Sequence, residues 1–227
     1  MLNDLWLIDK PLDWTSFDVV AKVRNAYSRR FGKKCKVGHA GTLDPKATGL
    51  LLIVVGKKTK EISELERLDK EYIGEIKLGA RTKSYDTETE EEEVCDVSHL
   101  CEAQLRQTAK MFLGKQMQLP PMYSAAWYRG RRLYELARRG AEVERTPKPI
   151  EIFEFELTEI CLPVVAFRIV VSKGTYIRSI AHDFGEKLGV GGYLRSLRRI
   201  RIGNYHIKDA LSIETCVELI RTRKVEV

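Results

Sequence analysis

Apolar residues recur at two spacings along this chain, and the spacing assigns most of its regular structure. Tyr72, Gly74, Ile76 and Leu78 alternate with their neighbours, as do Val165, Phe167, Ile169 and Val171, and Phe153, Phe155 and Leu157 form a third such run. A period of two puts alternate side chains on one face, so each run predicts a half-buried strand. Asn3 to Asp9 reads as a further strand. Leu50-Leu51-Leu52-Ile53-Val54-Val55 is unbroken apolar sequence between Gly49 and Gly56, which fits a buried strand or a short buried helix. Helical spacing enters at Thr15-Ser16-Phe17-Asp18, a capping-box-like start that places Val19, Val20, Val23 and Tyr27 inward. Helices are predicted around 58–69 and 98–113. Another follows Ile177, Ile180, Ala181, Phe184 and Leu188, with Gly189 just past its end as a C-cap. Hairpin-like strands mixed with single helices, without repeats, predict an α+β fold rather than a regular βαβ winding.

Length and composition narrow the class without changing that picture. At 227 residues, 44% hydrophobic and 31% charged, the chain can bury one substantial core, or one with an appendage. No apolar run is long enough to span a bilayer, and Met1-Leu2-Asn3-Asp4 lacks the basic start of a signal peptide. A soluble, unexported, cytoplasmic protein is expected. Five cysteines without CxxC spacing predict reduced thiols rather than a disulfide framework or zinc ribbon. Four histidines without an HExxH or paired pattern predict no metal site. Gly56-Lys57-Lys58-Thr59 lacks the spacing of a phosphate-binding loop, which excludes a P-loop nucleotidase.

Charge adds a partner. The formal net charge is +7, yet Asp86, Glu88, Glu90 to Glu93 and Asp96 gather acids into one short stretch, leaving the remainder strongly basic. Arg195, Arg198, Arg199 and Arg201 form one basic group; Arg129, Arg131, Arg132, Arg138 and Arg139, interleaved with Tyr128 and Tyr134, form another. Cations interleaved with aromatics suit a polyphosphate that also offers bases for stacking, so nucleic acid is favoured over a merely solvated basic face. The acidic stretch reads as a solvated loop or hairpin tip.

The chemistry concentrates at Gly38-His39-Ala40-Gly41-Thr42-Leu43-Asp44-Pro45, continued by Ala47-Thr48-Gly49-Leu50-Leu51. Asp44 is the single carboxylate of this segment, and Pro45 pushes it out of helical conformation onto a loop. Spacing alone favours an ordinary turn. Other stretches accompany it in order: Asp9-Lys10-Pro11 with Thr15-Ser16, Lys70-Glu71-Tyr72, Pro120-Pro121-Met122-Tyr123-Ser124-Ala125, Lys173-Gly174-Thr175-Tyr176-Ile177-Arg178, and Leu197-Arg198-Arg199. This colinear set spans nearly the whole chain and resembles the TruB family of tRNA pseudouridine synthases, bacterial type.

The resemblance implies a single catalytic domain over residues 1–227, with a curved, mixed, mostly antiparallel sheet, flanking helices and a central RNA-binding cleft. It implies isomerisation of a flipped-out T-loop uridine of tRNA, usually at position 55, by a monomer needing no cofactor or metal. Asp44 becomes the catalytic carboxylate, Arg178 the cation paired with it, and Tyr72 the aromatic stacked on the extruded base. His39, Tyr176 and Leu197 become contacts to the substrate nucleotide; Lys10 braces the cleft floor and Lys173 meets phosphate. The chain departs from the family in its acidic stretch after Asp86 and in Trp127-Tyr128, where a basic stretch is common. It also ends soon after Leu211, so the small PUA-like C-terminal RNA-binding domain of many members is expected to be absent. The alternative is a non-catalytic RNA-binding protein or tRNA folding chaperone using the same cleft.

Overall fold

The computed structural model describes residues 3–32, 34–92, 94–124, 127–128, 130–137, 139–141 and 143–223. The chain divides into two compact units, one of residues 1–72 with 198–227 and the other of residues 73–197.

The first unit opens with β1 (Leu5–Lys10), followed by α1 (Ser16–Phe31). The anticipated capping box is complete: Asp18 N donates to Thr15 Oγ1 at 3.0 Å, and Thr15 N donates to the Asp18 carboxylate at 2.9 Å. Gly32, left-handed at φ 64°, closes the helix by donating to Ser28 O. After β2 (Val37–Ala40), the apolar run proves to be a strand, β3 (Ala47–Val55). It runs antiparallel to β1, from Leu5 opposite Val54 to Lys10 opposite Gly49, and antiparallel to β2. Its apolar run is unbroken because both faces are covered. Leu51, Ile53 and Val55 pack with Val19, Val20, Val23 and Tyr27 of α1, while Leu50, Leu52 and Val54 pack with Ala40, Leu65 and Ile202. The helix predicted over 58–69 is shorter: a 3-10 turn spans Gly56–Glu61 and α2 only Ile62–Leu65. Leu65 is the one buried residue across those two elements, so no apolar stripe exists to anchor a longer helix. Strand β4 (Lys70–Leu78) then passes into the second unit.

There, β5 (Arg81–Thr82) and β6 (Glu91–Glu92) pair as a hairpin around much of the acidic stretch. Helix α3 (Glu102–Lys110) lies inside the predicted 98–113 and precedes β7 (Gly114–Gln118). A small ribbon of β8 (Trp127–Tyr128) and β9 (Arg131–Arg132) leads into α4 (Leu133–Ala137). The long β10 (Lys148–Cys161) pairs antiparallel with both β7 and β11 (Val164–Val171). Phe153 departs from its predicted inward place. A register shift between Ile152 and Glu154 inserts one residue, so Ile150, Ile152, Phe155 and Leu157 are buried while Phe153 is 43% exposed. Helix α5 (Ile177–Lys187) buries the predicted Ile177, Ile180, Ala181 and Phe184, and Gly189 beyond it is left-handed. Phe155 sits edge-on to Phe112, Phe167 and Phe184, which knits this core together. Within this unit β4, β11, β10 and β7 are neighbours in that order, and β12 (Gly192–Ile202) lies beside β4.

The chain returns to the first unit at Arg198, where β12 neighbours β3 and carries β13 (Tyr205–His206) on its end. Helix α6 (Ile213–Thr222), N-capped by Ser212, adds Ile213, Cys216, Val217 and Ile220 to the core under α1. The fold is α+β with mostly antiparallel strand pairing and flanking helices, as the sequence predicts.

Candidate active site

In the first unit, the chain between β2 and β3 is held from two sides. Ser16, buried at the start of α1, straddles the backbone of Leu43: its Oγ donates to Leu43 O at 3.0 Å and accepts from Leu43 N at 2.8 Å. Asp13 N donates to Pro45 O at 2.8 Å, and Lys46 Nζ pairs with the Asp13 carboxylate at 2.8 Å. Asp44, half-buried, lies between these clamps, and its carbonyl accepts from Ala47 N at 3.0 Å. From the opposite side, Arg199 of β12 reaches under the loop with 1% exposure. Its Nε donates to Leu50 O at 2.7 Å, Nη2 to Gly41 O at 3.0 Å and Nη1 to Thr42 O at 3.4 Å. Gly49 makes this approach possible: at φ 104° it sits against the Arg199 backbone, which any Cβ would strike.

Lys10 is fully buried, and its Nζ donates to Pro11 O at 2.8 Å and Trp14 O at 2.6 Å, fixing the turn before α1. Burial pulls its pKa down to about 8, opposed most by the negative charge of Asp44. His39 lies on β2 opposite Ile53; burial lowers its pKa, and its Nδ1 makes no hydrogen bond among the described residues. Tyr72 is buried in β4. Lys10, His39, Asp44 and Tyr72 thus belong to the first unit.

Arg178, Tyr176, Lys173 and Leu197 belong to the second. Arg178, in the first turn of α5, is 4% exposed; Nη1 donates to Tyr123 O at 2.8 Å and Ser84 O at 3.3 Å. Its Nε lies 3.6 Å from the carboxylate of Asp86. Tyr176 is the N-cap residue of α5, and its backbone exchanges two hydrogen bonds with the buried amide of Gln118, at 2.8 and 3.0 Å. Lys173 is exposed in the turn before it, and Leu197 is half-buried on β12.

Asp86 escaped the sequence reading, which placed it in a solvated acidic stretch. It is 5% exposed, and its carboxylate accepts from Glu88 N at 2.9 Å. The available signal was the run of hydroxyls around it. Thr82 Oγ1 and Ser84 Oγ both donate to Asp86 O, at 2.7 and 3.2 Å, folding the turn inward.

The arginines near residue 198 also serve differently from the expected phosphate cluster. Arg198 pairs with Asp9 at 2.6 Å and Arg201 with Glu71 at 2.6 Å, while Arg199 is wholly interior. Arg195 stays half-exposed, its guanidinium 3.8 Å from Glu75. In the other group Arg131 and Arg139 are exposed; Ala125, Arg129 and Arg138 lie outside the described residues. Among the described residues no cluster of His, Cys, Asp or Glu is arranged to hold a metal ion, and no helix is long and apolar enough to cross a membrane.

Comparison with known proteins finds relatives that span most of the chain. The family model for the TruB family pseudouridylate synthase (N terminal domain) matches residues 29–177, and that for the tRNA pseudouridylate synthase B C-terminal domain matches 178–225. The chain is 59% identical over 219 residues to tRNA pseudouridine synthase B of Chloroherpeton thalassium, covering 96% of this chain and 90% of that protein. It is 51% identical over 209 residues to the protein of the same name from Flavobacterium johnsoniae, covering 91% of each. Among solved structures, a chain of a Cbf5-Nop10-Gar1 complex aligns with a TM-score of 0.72 at 30% identity over 94% of this chain, which spans 53% of that chain's length.

Two outcomes follow from the bracing. Arg199→Met should lower unfolding free energy by about 3 kcal/mol in urea titration, since three carbonyls lose a donor. The salt dependence of RNA binding should stay unchanged, whereas loss of a phosphate contact would flatten the slope by about 1. For Lys10, the lowered pKa means the unfolded chain binds more protons above about pH 8. Wild-type stability relative to Lys10→Met should therefore rise between about pH 8 and about 9.5, measured as urea midpoints across that range.

Proposed function

The chain belongs to the TruB family of pseudouridylate synthases, and from that premise we propose that it isomerises a T-loop uridine of tRNA, at position 55, to pseudouridine. The observation that carries the reading is the two-sided clamp on the Asp44 loop, from Ser16 of α1 and Arg199 of β12. A carboxylate on so firmly held a loop gains nothing for RNA affinity, because it repels phosphate; it is suited to meeting one atom of a nucleoside.

The reaction breaks the bond from ribose C1′ to N1 of uracil and forms one from C1′ to C5. The hydrogen on C5 leaves as a proton and N1 gains one, so no electrons are exchanged with an outside group. An ionised oxygen of Asp44 can start this by attack at C1′ or C6, or by removing a ribose proton. Tyr72 stacks on the extruded uracil, and Arg178 balances the carboxylate's charge in the RNA-bound enzyme. His39, Tyr176 and Leu197 contact the nucleotide, and Lys173 meets a phosphate. Lys10, with its nitrogen already committed to the turn at Pro11 and Trp14, keeps a positive charge in the field of Asp44 below about pH 8. A monomeric, cytoplasmic enzyme acting on the T arm fits this set, which calls on neither metal nor cofactor.

The reading is tested with a T-arm hairpin carrying uridine tritiated at C5. Wild type should release tritium, and Asp44→Asn should release none while binding the hairpin within about twofold of wild type. Release at the wild-type rate by Asp44→Asn would remove the carboxylate from the chemistry. Binding without release by the wild type would favour the non-catalytic RNA-binding reading instead.

A further inference from the structure

Tyr85 is held where a tyrosine costs free energy. Its backbone is left-handed at φ 64°, a region that glycine enters freely and bulky residues pay on the order of 1–3 kcal/mol to occupy. Its ring lies flat on the imidazole of His182, with centroids 3.8 Å apart and planes 7° from parallel. His182 follows Arg178 by one turn of α5, so the two project from one face of that helix.

The three consecutive residues of the turn are therefore all held by this one helix face. Ser84 offers its carbonyl to Arg178 Nη1, Tyr85 its ring to His182, and Asp86 its carboxylate to Arg178 Nε. On its other side the turn is tied to β12, where Leu194 N donates to Tyr85 O at 2.9 Å. The imidazole Nδ1 makes no hydrogen bond among the described residues, and the contact His182 makes with the turn is the stack of its ring on Tyr85. A smaller residue at position 85 would relieve the backbone but leave the turn free to shift against α5.

We propose that Tyr85 and His182 are positioning residues for Arg178: their stack locks the Ser84–Asp86 turn against α5 and thereby fixes the direction of the guanidinium. The inference rests on the proposed pseudouridine chemistry, in which Arg178 serves the step after RNA has bound. It predicts a loss in the chemical step without a loss in affinity.

The test measures single-turnover tritium release, hairpin affinity and thermal midpoint for Tyr85→Gly, Tyr85→Phe and His182→Ala, alone and with Arg178→Ala. Tyr85→Gly and His182→Ala should each slow release between about tenfold and about a hundredfold, the scale of a misplaced reacting group. Affinity should stay within about twofold, because these side chains act only after binding. Tyr85→Phe keeps the ring and should retain the wild-type rate. In the Arg178→Ala background, Tyr85→Gly should cause no further slowing, the mark of a residue acting through Arg178. Wild-type release from Tyr85→Gly, a slowing of Tyr85→Phe equal to that of Tyr85→Gly, or additive losses with Arg178→Ala would each overturn the proposal. An inactive wild type would instead overturn the catalytic reading on which it rests.

Discussion

A buried guanidinium shapes the loop that carries the candidate carboxylate. Arg199 is taken out of water, and among the described residues its donors meet three backbone carbonyls rather than a carboxylate. Burying a cation is costly unless its donors are satisfied, so the arrangement persists only while Gly41, Thr42 and Leu50 present their oxygens together. Satisfying the arginine and shaping the loop are consequently one event. The same geometry explains why position 49 lacks a side chain and why the loop ends directly in a strand buried on both faces.

Much of this was legible in the sequence wherever the governing interaction is local. The capping box at Thr15 and Asp18 needs only neighbours in the chain, and the helical spacing from Ile177 to Phe184 needs only one apolar face. The segment around Asp44 stood out through its glycines and proline. For Leu50 to Val55 the sequence does not choose between strand and helix, because a run with both faces covered carries no period at all.

What was not legible depends on partners far along the chain. A bulge shifts parity by one residue without altering the local alternation, so Phe153 looked inward until β7 and β11 fixed the register around it. The arginines near residue 198 counted equally as charges, yet one is interior, two are paired with Asp9 and Glu71, and one stays open to solvent. Asp86 was hidden among other acids because its cation arrives from α5. Charge patterning along a sequence reports how many ions there are, and tertiary structure alone assigns each its counter-ion.

The double burial of β3 carries a dynamic consequence. A strand covered on both faces opens at a free-energy cost close to that of unfolding its unit, and the loop leading into it shares part of that reluctance. On the role proposed for Asp44, a loop that yields little leaves most of the deformation to the nucleic acid. Bases that leave their stack cheaply would then be preferred, making the pliability of the RNA itself a determinant of which nucleoside is reached.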